Sequence, residues 1–256
     1  MKNLVSSLDK GLDILCCFDF EKKAQSAQSI SERLNIPLST TYRYLMTLGK
    51  RGFLVRDSGT KAFKIGFMLF KLGNIVSSQM KLVDIVLPHM KSLSSDSGET
   101  VLLTVINGRE AMCLEKVETN KMIKLSLERG LCLPLHAGAS SKILLAYQKE
   151  SFINSMLKNT ALARFTKNTI TDATLLKKEL KRIRKQGFAF SDQEADLGAK
   201  AIGAPIFNHK GELVAGLSIA GPKERITNKN IPKLIRLVQG AAEKASHDLG
   251  HRAVRV

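Results

Sequence analysis

No stretch of this sequence approaches the ~20 consecutive apolar residues that a membrane-spanning helix requires, so no membrane partner is expected. The start, MKNLVSSLDKGLDILCC, lacks the charged-then-apolar layout of a secretory signal, because Asp9 and Asp13 interrupt it. The cytoplasm is the expected location. Cysteine is scarce: Cys16, Cys17, Cys113 and Cys132 are all there are. Their spacing fits no CxxC zinc pattern, the adjacent pair is badly placed to bridge, and reduced structural thiols are expected. His89, His136, His209, His247 and His251 are expected to offer no metal pair of the HxxxH or HExxH type. No metal and no cofactor is assigned, and a metal site would need ligands brought together by tertiary folding.

Acidic residues are also short. Lys and Arg number 40 against 23 Asp and Glu, giving a net charge of +17 over 256 residues. Such an excess favours polyanionic partners. It is not confined to one end: residues 1–75 hold 12 basic and 6 acidic side chains, the remainder 28 and 17. Charge alone therefore supports nucleic-acid binding weakly, and the motifs carry the argument.

The informative stretch is QSAQSISERLNIPLSTTYRYLMTLGKRGFLVRDSGTKAFKIG, Gln25 to Gly66. Ser26 is a good N-cap for a short helix with Ala27, Ile30 and Leu34 on one face. Pro37 biases Ile36 away from the α region and stops that helix. Ser39 is expected to cap a second helix, with Thr41, Tyr44, Leu45 and Leu48 turned to the core. Its other face carries Ser39, Thr40, Tyr42 and Arg43 near the N-terminal end, the end that enters a major groove in a helix-turn-helix. An arginine there can bond a guanine edge bidentately, and the hydroxyls reach bases or phosphates. After Gly49–Gly52 the pattern becomes a hairpin, 53–56 and 62–65, with Gly59 expected to supply a positive φ in the turn. Arg56, Lys61 and Lys64 make it a basic wing, placed to touch the DNA backbone or minor groove.

Before this stretch, Leu8 to Phe18 reads as a helix with Leu8, Leu12, Ile14, Leu15 and Phe18 inward. Phe20–Gln25 reads as a polar loop. Beyond it, Phe67 to about Leu93 reads as one or two helices, with Leu82, Ile85, Val86, Met90 and Leu93 at helical spacing and Pro88 a candidate kink. From Glu99 strands dominate. Thr100–Ile106 and Arg109–Val117 flank Asn107–Gly108, a strong hairpin signal, and Met122–Leu127 is expected as a third strand. A turn at Pro134 and the small residues Ala137, Gly138, Ala139 and Ser140 lead into a helix whose N-terminal N–H groups suit a carboxylate or phosphate. Thr171–Gln186 is a basic helix capped by Thr171 or Asp172, read as a solvated face. Phe188–Phe190, Ala201–Phe207 and Glu212–Ala220 read as strands and Thr227–Gly250 as a last helix. The expected fold class is α+β with two domains. An N-terminal winged helix-turn-helix over 1–72 is followed by a linker helix region over 73–97. A largely antiparallel mixed sheet with flanking helices, able to enclose a small pocket, occupies 98–256.

The order of motifs resembles the IclR-type bacterial transcriptional regulators across nearly the whole chain. The resemblance rests on SLDKGLDIL, SISERLNIPLSTTYRYLMTL, FKIG, SGETVLL, LPLHAGASSKILLA, RIRKQGFAFSDQEADLGAKAIGAPIF and LVAGLSIAGP. It implies a GAF-like effector-binding second domain and dimers, or dimers of dimers, on palindromic double-stranded operators. It also implies a small organic acid or aromatic effector. The residues expected to bind that effector are Ala137, Gly138, Ala139, Ser140, Asp192, Glu194, Ala201 and Ser218. Glyoxylate-type members carry Asp where Ser191 stands, Cys where Ala201 stands and Ser where Ala220 stands. Losing three polar groups points to a larger or less polar ligand.

Two rival classes stand against a ligand-controlled, non-enzymatic regulator. A thiol enzyme or sensor on a GAF-like fold would use Cys113 or Cys132 with His136, but no third orienting group is evident. A general nucleic-acid-binding protein would leave a whole second domain without a role.

Overall fold

The computed structural model describes residues 6–19, 22–79, 81–119, 127–159 and 161–252. It divides into two units, Met1–Met80 and Lys81–Val256.

In the first unit, α1 (Ser6–Leu15) leads to a two-residue strand, β1 (Ala24–Gln25), then α2 (Ala27–Leu34) and α3 (Leu38–Lys50). Ser26 caps α2, its hydroxyl accepting from the Ser29 N–H at 3.1 Å. The hairpin strands β2 (Leu54–Arg56) and β3 (Phe63–Ile65) follow, and α4 (Phe67–Gln79) closes the unit. The sheet order is β1-β3-β2. The core is small: Ile14, Cys17, Ala27, Ile30, Leu45, Leu54 and Phe63.

Three expectations need correction here. Leu8 and Leu12 are not inward; they are 63% and 52% exposed, while Ile14 and Cys17 face the core. The two rows lie about half a turn apart, and periodicity alone does not say which is buried. The polar loop contains β1, whose Gln25 pairs with Phe63 and donates its side-chain amide to the Cys17 carbonyl. Two residues are too few to show a strand period. Gly59 does not take the positive φ; Lys61 does, at 60°. The turn is held instead by the Asp57 carboxylate, which accepts from the N–H groups of Gly59 and Thr60.

In the second unit, α5 (Lys81–Ser97) holds Pro88 within it and buries Val86, Met90 and Leu93. The hairpin β4 (Thr100–Asn107) and β5 (Glu110–Val117) turns at Gly108, φ 61°. The expected third strand at Met122–Leu127 falls outside the described residues but for Leu127. The strand beside β5 is β6 (Cys132–Pro134), where a turn was expected. Then come α6 (Ala139–Ala146), α7 (Glu150–Asn159), which had not been anticipated, and α8 (Ala173–Gln186). Asp172 caps α8, and Gly187 ends it at φ 72°. The chain finishes with β7 (Ala189–Asp192), β8 (Ala199–Phe207), β9 (Leu213–Pro222) and α9 (Ile231–Asp248).

The sheet runs β6-β5-β4-β9-β8-β7, and every described pairing is antiparallel. Alternation along β9 decides the two faces. Leu217 and Ile219 pack with α5 and α9, in a core that includes Leu103, Ile202 and Val238. The opposite side meets α6 and α8, around Ile143, Leu144, Leu176 and Ile183.

One sheet edge is closed by the chain itself. β7 begins opposite Gly203, so among the described residues no strand lies outside β8 from Ala204 to Phe207. Pro205 has no N–H to offer there, and the Phe207 N–H donates to Ser246 Oγ of α9 at 3.0 Å.

Candidate functional site

The first unit presents one polar helix face. The α2–α3 turn is fixed by Asn35 in the left-handed region (φ 51°), by Ser31 donating to the Ile36 carbonyl at 2.6 Å, and by Thr41 donating to the Pro37 carbonyl at 3.2 Å. Thr41 and Leu45 are wholly buried. Opposite them Ser39, Tyr42 and Arg43 are exposed and Thr40 is half-buried. Ser39 is not the cap: Pro37 occupies that position with no side-chain cap bond, so Ser39 lies within the first turn. Met46, Thr47 and Lys50 continue the exposed face; helical spacing from Tyr42 and Arg43 would have found them.

The wing cations differ from one another. Arg56 lies over the Phe63 ring at 5.7 Å and donates to the Lys61 carbonyl at 3.4 Å. The Lys64 ammonium is 2.7 Å from the Asp57 carboxylate. That bond, with those from Thr60, holds the Asp57 carboxyl far below its ordinary value. Lys61 is exposed at the tip.

The second unit encloses a cavity of about 190 Å³. Leu102, Leu127, Leu131 and Leu133 form its apolar wall. Gly138, Ala139 and Ser140 at the start of α6 line another side, with Ala201 and Ser218 on the sheet. Ser191, Asp196 and Lys200 complete the polar part. Gly138 adopts φ 90°, a conformation that suits glycine alone and aims the first turn of α6.

Three expected effector residues are not among this lining. Ala137 is fully buried beside it. Asp192 pairs with Lys200 at 3.3 Å and reaches the cavity only through that lysine. Glu194 is turned inward to Lys142, 2.6 Å away. Lys142 is 1% exposed and also donates to the Phe190 carbonyl at 2.9 Å and to Glu179 at 3.2 Å. One ammonium thus ties together α6, α8, β7 and the acidic loop, which between them supply much of the cavity wall. Burial pushes the Glu194 carboxyl up despite Lys142, while its Oε2 has no hydrogen-bond partner among the described residues. Burial also raises Glu179, but Arg182 and Lys142 outweigh it and leave that carboxyl below its ordinary value.

Thiol chemistry finds no support. Burial raises the Cys113 thiol to about 11 and also lifts Cys132, so neither is primed as a thiolate. The His136 ring nitrogen Nε2 is engaged with the Ala163 carbonyl at 2.9 Å. His247 and His251 stand four apart, but α9 ends between them and the His251 ring packs on Phe207. No group of three metal-ligating side chains occurs among the described residues, and none of their helices is long and apolar enough to cross a membrane.

A winged helix-turn-helix in a chain whose other unit encloses a small-molecule cavity defines a DNA-binding regulator with a ligand-binding domain. Comparison with known proteins narrows the class. The family model for the IclR helix-turn-helix domain matches residues 7–58, and that for the bacterial transcriptional regulator IclR C-terminal domain matches residues 75–247. The chain belongs to the IclR family of bacterial transcriptional regulators. It is 33% identical over 244 residues to the HTH-type transcriptional repressor AllR of Salmonella typhi, covering 95% of this chain and 90% of that one. It is 33% identical over 248 residues to the HTH-type transcriptional regulator BhcR of Paracoccus denitrificans, covering 97% and 88%. Among solved structures, Thermotoga maritima IclR aligns with a TM-score of 0.76 at 32% identity, covering 97% of this chain and all of that one. An IclR homologue from Microbacterium hydrocarbonoxydans, complexed with 4-hydroxybenzoate, aligns with a TM-score of 0.84 at 25% identity, covering 95% and 98%.

Proposed function

We propose that the protein, working in the cytoplasm, reads a palindromic operator through α3 and changes its grip on that operator when a small carboxylic acid enters the second-unit cavity. Ser39, Thr40, Tyr42 and Arg43 take the bases and nearby phosphates. Arg56 and Lys61 hold the backbone, and Lys64 orients the wing through Asp57 as well as adding charge. The observation that carries this reading is the division of α3: Thr41 and Leu45 are sealed in the core, and the hydroxyls and guanidinium opposite are exposed.

The effector class follows from the cavity. Four leucines and five alanines suit an apolar or aromatic body, and Ser140, Ser218, Lys200 and the N–H groups of α6 suit a carboxylate. A dry cavity of about 150 Å³ takes benzene, so about 190 Å³ accommodates one ring. The 4-hydroxybenzoate bound to the Microbacterium homologue has that chemistry. Gly138, Ala139, Ser140, Ala201 and Ser218 contact the ligand in this reading, with Ala137, Asp192 and Glu194 shaping the wall from behind. The ligand acts only through different affinities for the DNA-competent and incompetent forms.

Two copies, or two pairs, fit a palindrome. The first unit supplies the surface: Phe67 is 85% and Phe70 67% exposed at the start of α4, with Leu8 and Leu12 on α1. Operator binding tests the whole. Arg43→Ala is expected to cost ~1–3 kcal/mol on the operator and little on unrelated DNA; unchanged operator affinity would sink the role given to α3. Titrating the operator complex with 4-hydroxybenzoate and with glyoxylate tests the cavity. Release by glyoxylate alone, at saturable low concentration, would contradict the ligand class.

A further inference from the structure

Two thirds of the surplus positive charge lies outside the unit that carries the helix-turn-helix: residues 76–256 hold 28 basic and 17 acidic side chains. Much of it is concentrated on α8. Lys177, Lys178, Lys181, Arg184 and Lys185 are all exposed. At 3.6 residues per turn they fall within an arc of about 120° and span about 12 Å of helix. The buried stripe of the same helix, Leu176, Leu180 and Ile183, lies on another side.

A solvated helix face normally intersperses acids among its bases. Here α8 holds a single acid, Glu179, and it is taken by Lys142 and Arg182. Among the described residues no carboxylate pairs with Lys177, Lys178, Lys181 or Lys185. Lys177, Lys181 and Lys185 follow one another at four-residue intervals, the spacing at which like charges repel within a helix. Lys177, Lys181 and Arg184 further line a groove of about 210 Å³ against α7, where Glu150 is the one opposing acid, 3.5 Å from Arg184. A row of cations held on a rigid helix, with its counter-charge left to an outside partner, is complementary to a regular line of phosphates.

We propose that the α8 cation stripe is a second DNA contact of this regulator, binding the sugar-phosphate backbone of duplex outside the half-site and without regard to sequence. It rests on the reading of the chain as a DNA-binding regulator. DNA is the polyanion at the protein's own place of work, and duplex backbone carries one charge per ~1.7 Å of axis, so ~12 Å of helix faces several phosphates. The stripe adds affinity and salt dependence and leaves discrimination to α3.

The test is the salt dependence of full-length protein on a long random-sequence duplex, followed by fluorescence anisotropy from 50 to 200 mM salt. Three proteins are compared: the unaltered chain, a Lys177→Ala, Lys181→Ala, Lys185→Ala variant, and a control of equal charge loss elsewhere in the same unit, Lys223→Ala, Lys229→Ala, Lys233→Ala. Each phosphate contact contributes about 0.9 to the slope of log K against log salt. The α8 variant is expected to flatten the slope by about 2.7, so that over this range the unaltered chain loses about 40-fold more affinity than the variant does. The control keeps the original slope. A Lys→Gln set at the same α8 positions is expected to reproduce the effect with an unchanged melting temperature, separating charge from folding. Equal slopes for the α8 variant and the control overturn the proposal, whether both are unchanged or both equally reduced. Failure of the unaltered chain to bind either operator or random duplex would overturn the regulator reading itself, and the proposal with it.

Discussion

The two units solve opposite problems. The first has a core of seven buried apolar residues and leaves much apolar surface outside. Among the described residues, eleven of the fourteen large hydrophobic residues that stand exposed belong to it: Leu8, Leu12, Leu38, Tyr42, Met46, Val55, Ile65, Phe67, Phe70, Leu72 and Ile75. Among the described residues the second unit exposes only Phe165, Leu175 and Leu197, yet it buries ionisable groups, Lys142 with Glu194 and Glu179. A small unit cannot cover its own apolar residues, because its surface is large for its volume. Its polar helix face is the exception, and its other faces leave apolar side chains exposed. The larger unit is closed to partners of that kind and places its unusual chemistry inside, around the cavity.

Substitutions can break this contrast. The largest effect is expected from Lys142→Met. It leaves Glu194 and Glu179 buried without their ammonium, and losing one partner of a buried ion pair costs ~3–5 kcal/mol. Chemical denaturation should show the transition of the second unit shifted down, with the helix-turn-helix unit unaffected. An unmoved transition would mean that the network does not brace the cavity walls. A smaller effect is expected from Phe67→Ala with Phe70→Ala. Burying a phenylalanine contributes ~1.5–3 kcal/mol, so self-association measured by sedimentation should weaken at least tenfold while the fold persists. Unchanged association would place the contact between copies elsewhere.

The smallest effect concerns pH. Burial holds the folded Glu194 carboxyl above its unfolded value. Between those two values the folded state binds more protons than the unfolded one, so this group makes the second unit more stable as pH falls from neutral toward the unfolded carboxylate value. Glu179 is shifted the other way and withdraws stability only below its own unfolded value. Melting temperature should therefore rise modestly on mild acidification before falling. Glu194→Gln, which keeps an oxygen for Lys142, should remove the rise. A rise that persists in the variant would assign it to another group.

Much of this arrangement was legible in the sequence where local chemistry and periodicity agree. Ser26 with Ser29, Asn107 before Gly108, and Asp172 before α8 announce their elements by capping or turn chemistry. Ser218 between Leu217 and Ile219 announces its face by strand alternation. What stayed hidden was decided by tertiary contacts. Leu8 and Leu12 look like core residues because apolar spacing marks a face without saying what covers it. β1 and β6 are two and three residues long, too short for any period. Glu194 belongs to the loop that borders the cavity, yet it points to Lys142, a lone charge in the otherwise apolar run KILLA. Such a cation invites a buried acid, but which acid it takes, and which oxygen faces which wall, is settled only by packing.

The sealed end of β8 bears on how this protein can assemble. A bare strand accepts almost any other strand, because backbone hydrogen bonds are the same in every sequence. Beyond the start of β7, proline and a serine hydroxyl remove that invitation. Recruitment at this place is therefore left to side chains, which can choose among partners, instead of to the main chain, which cannot.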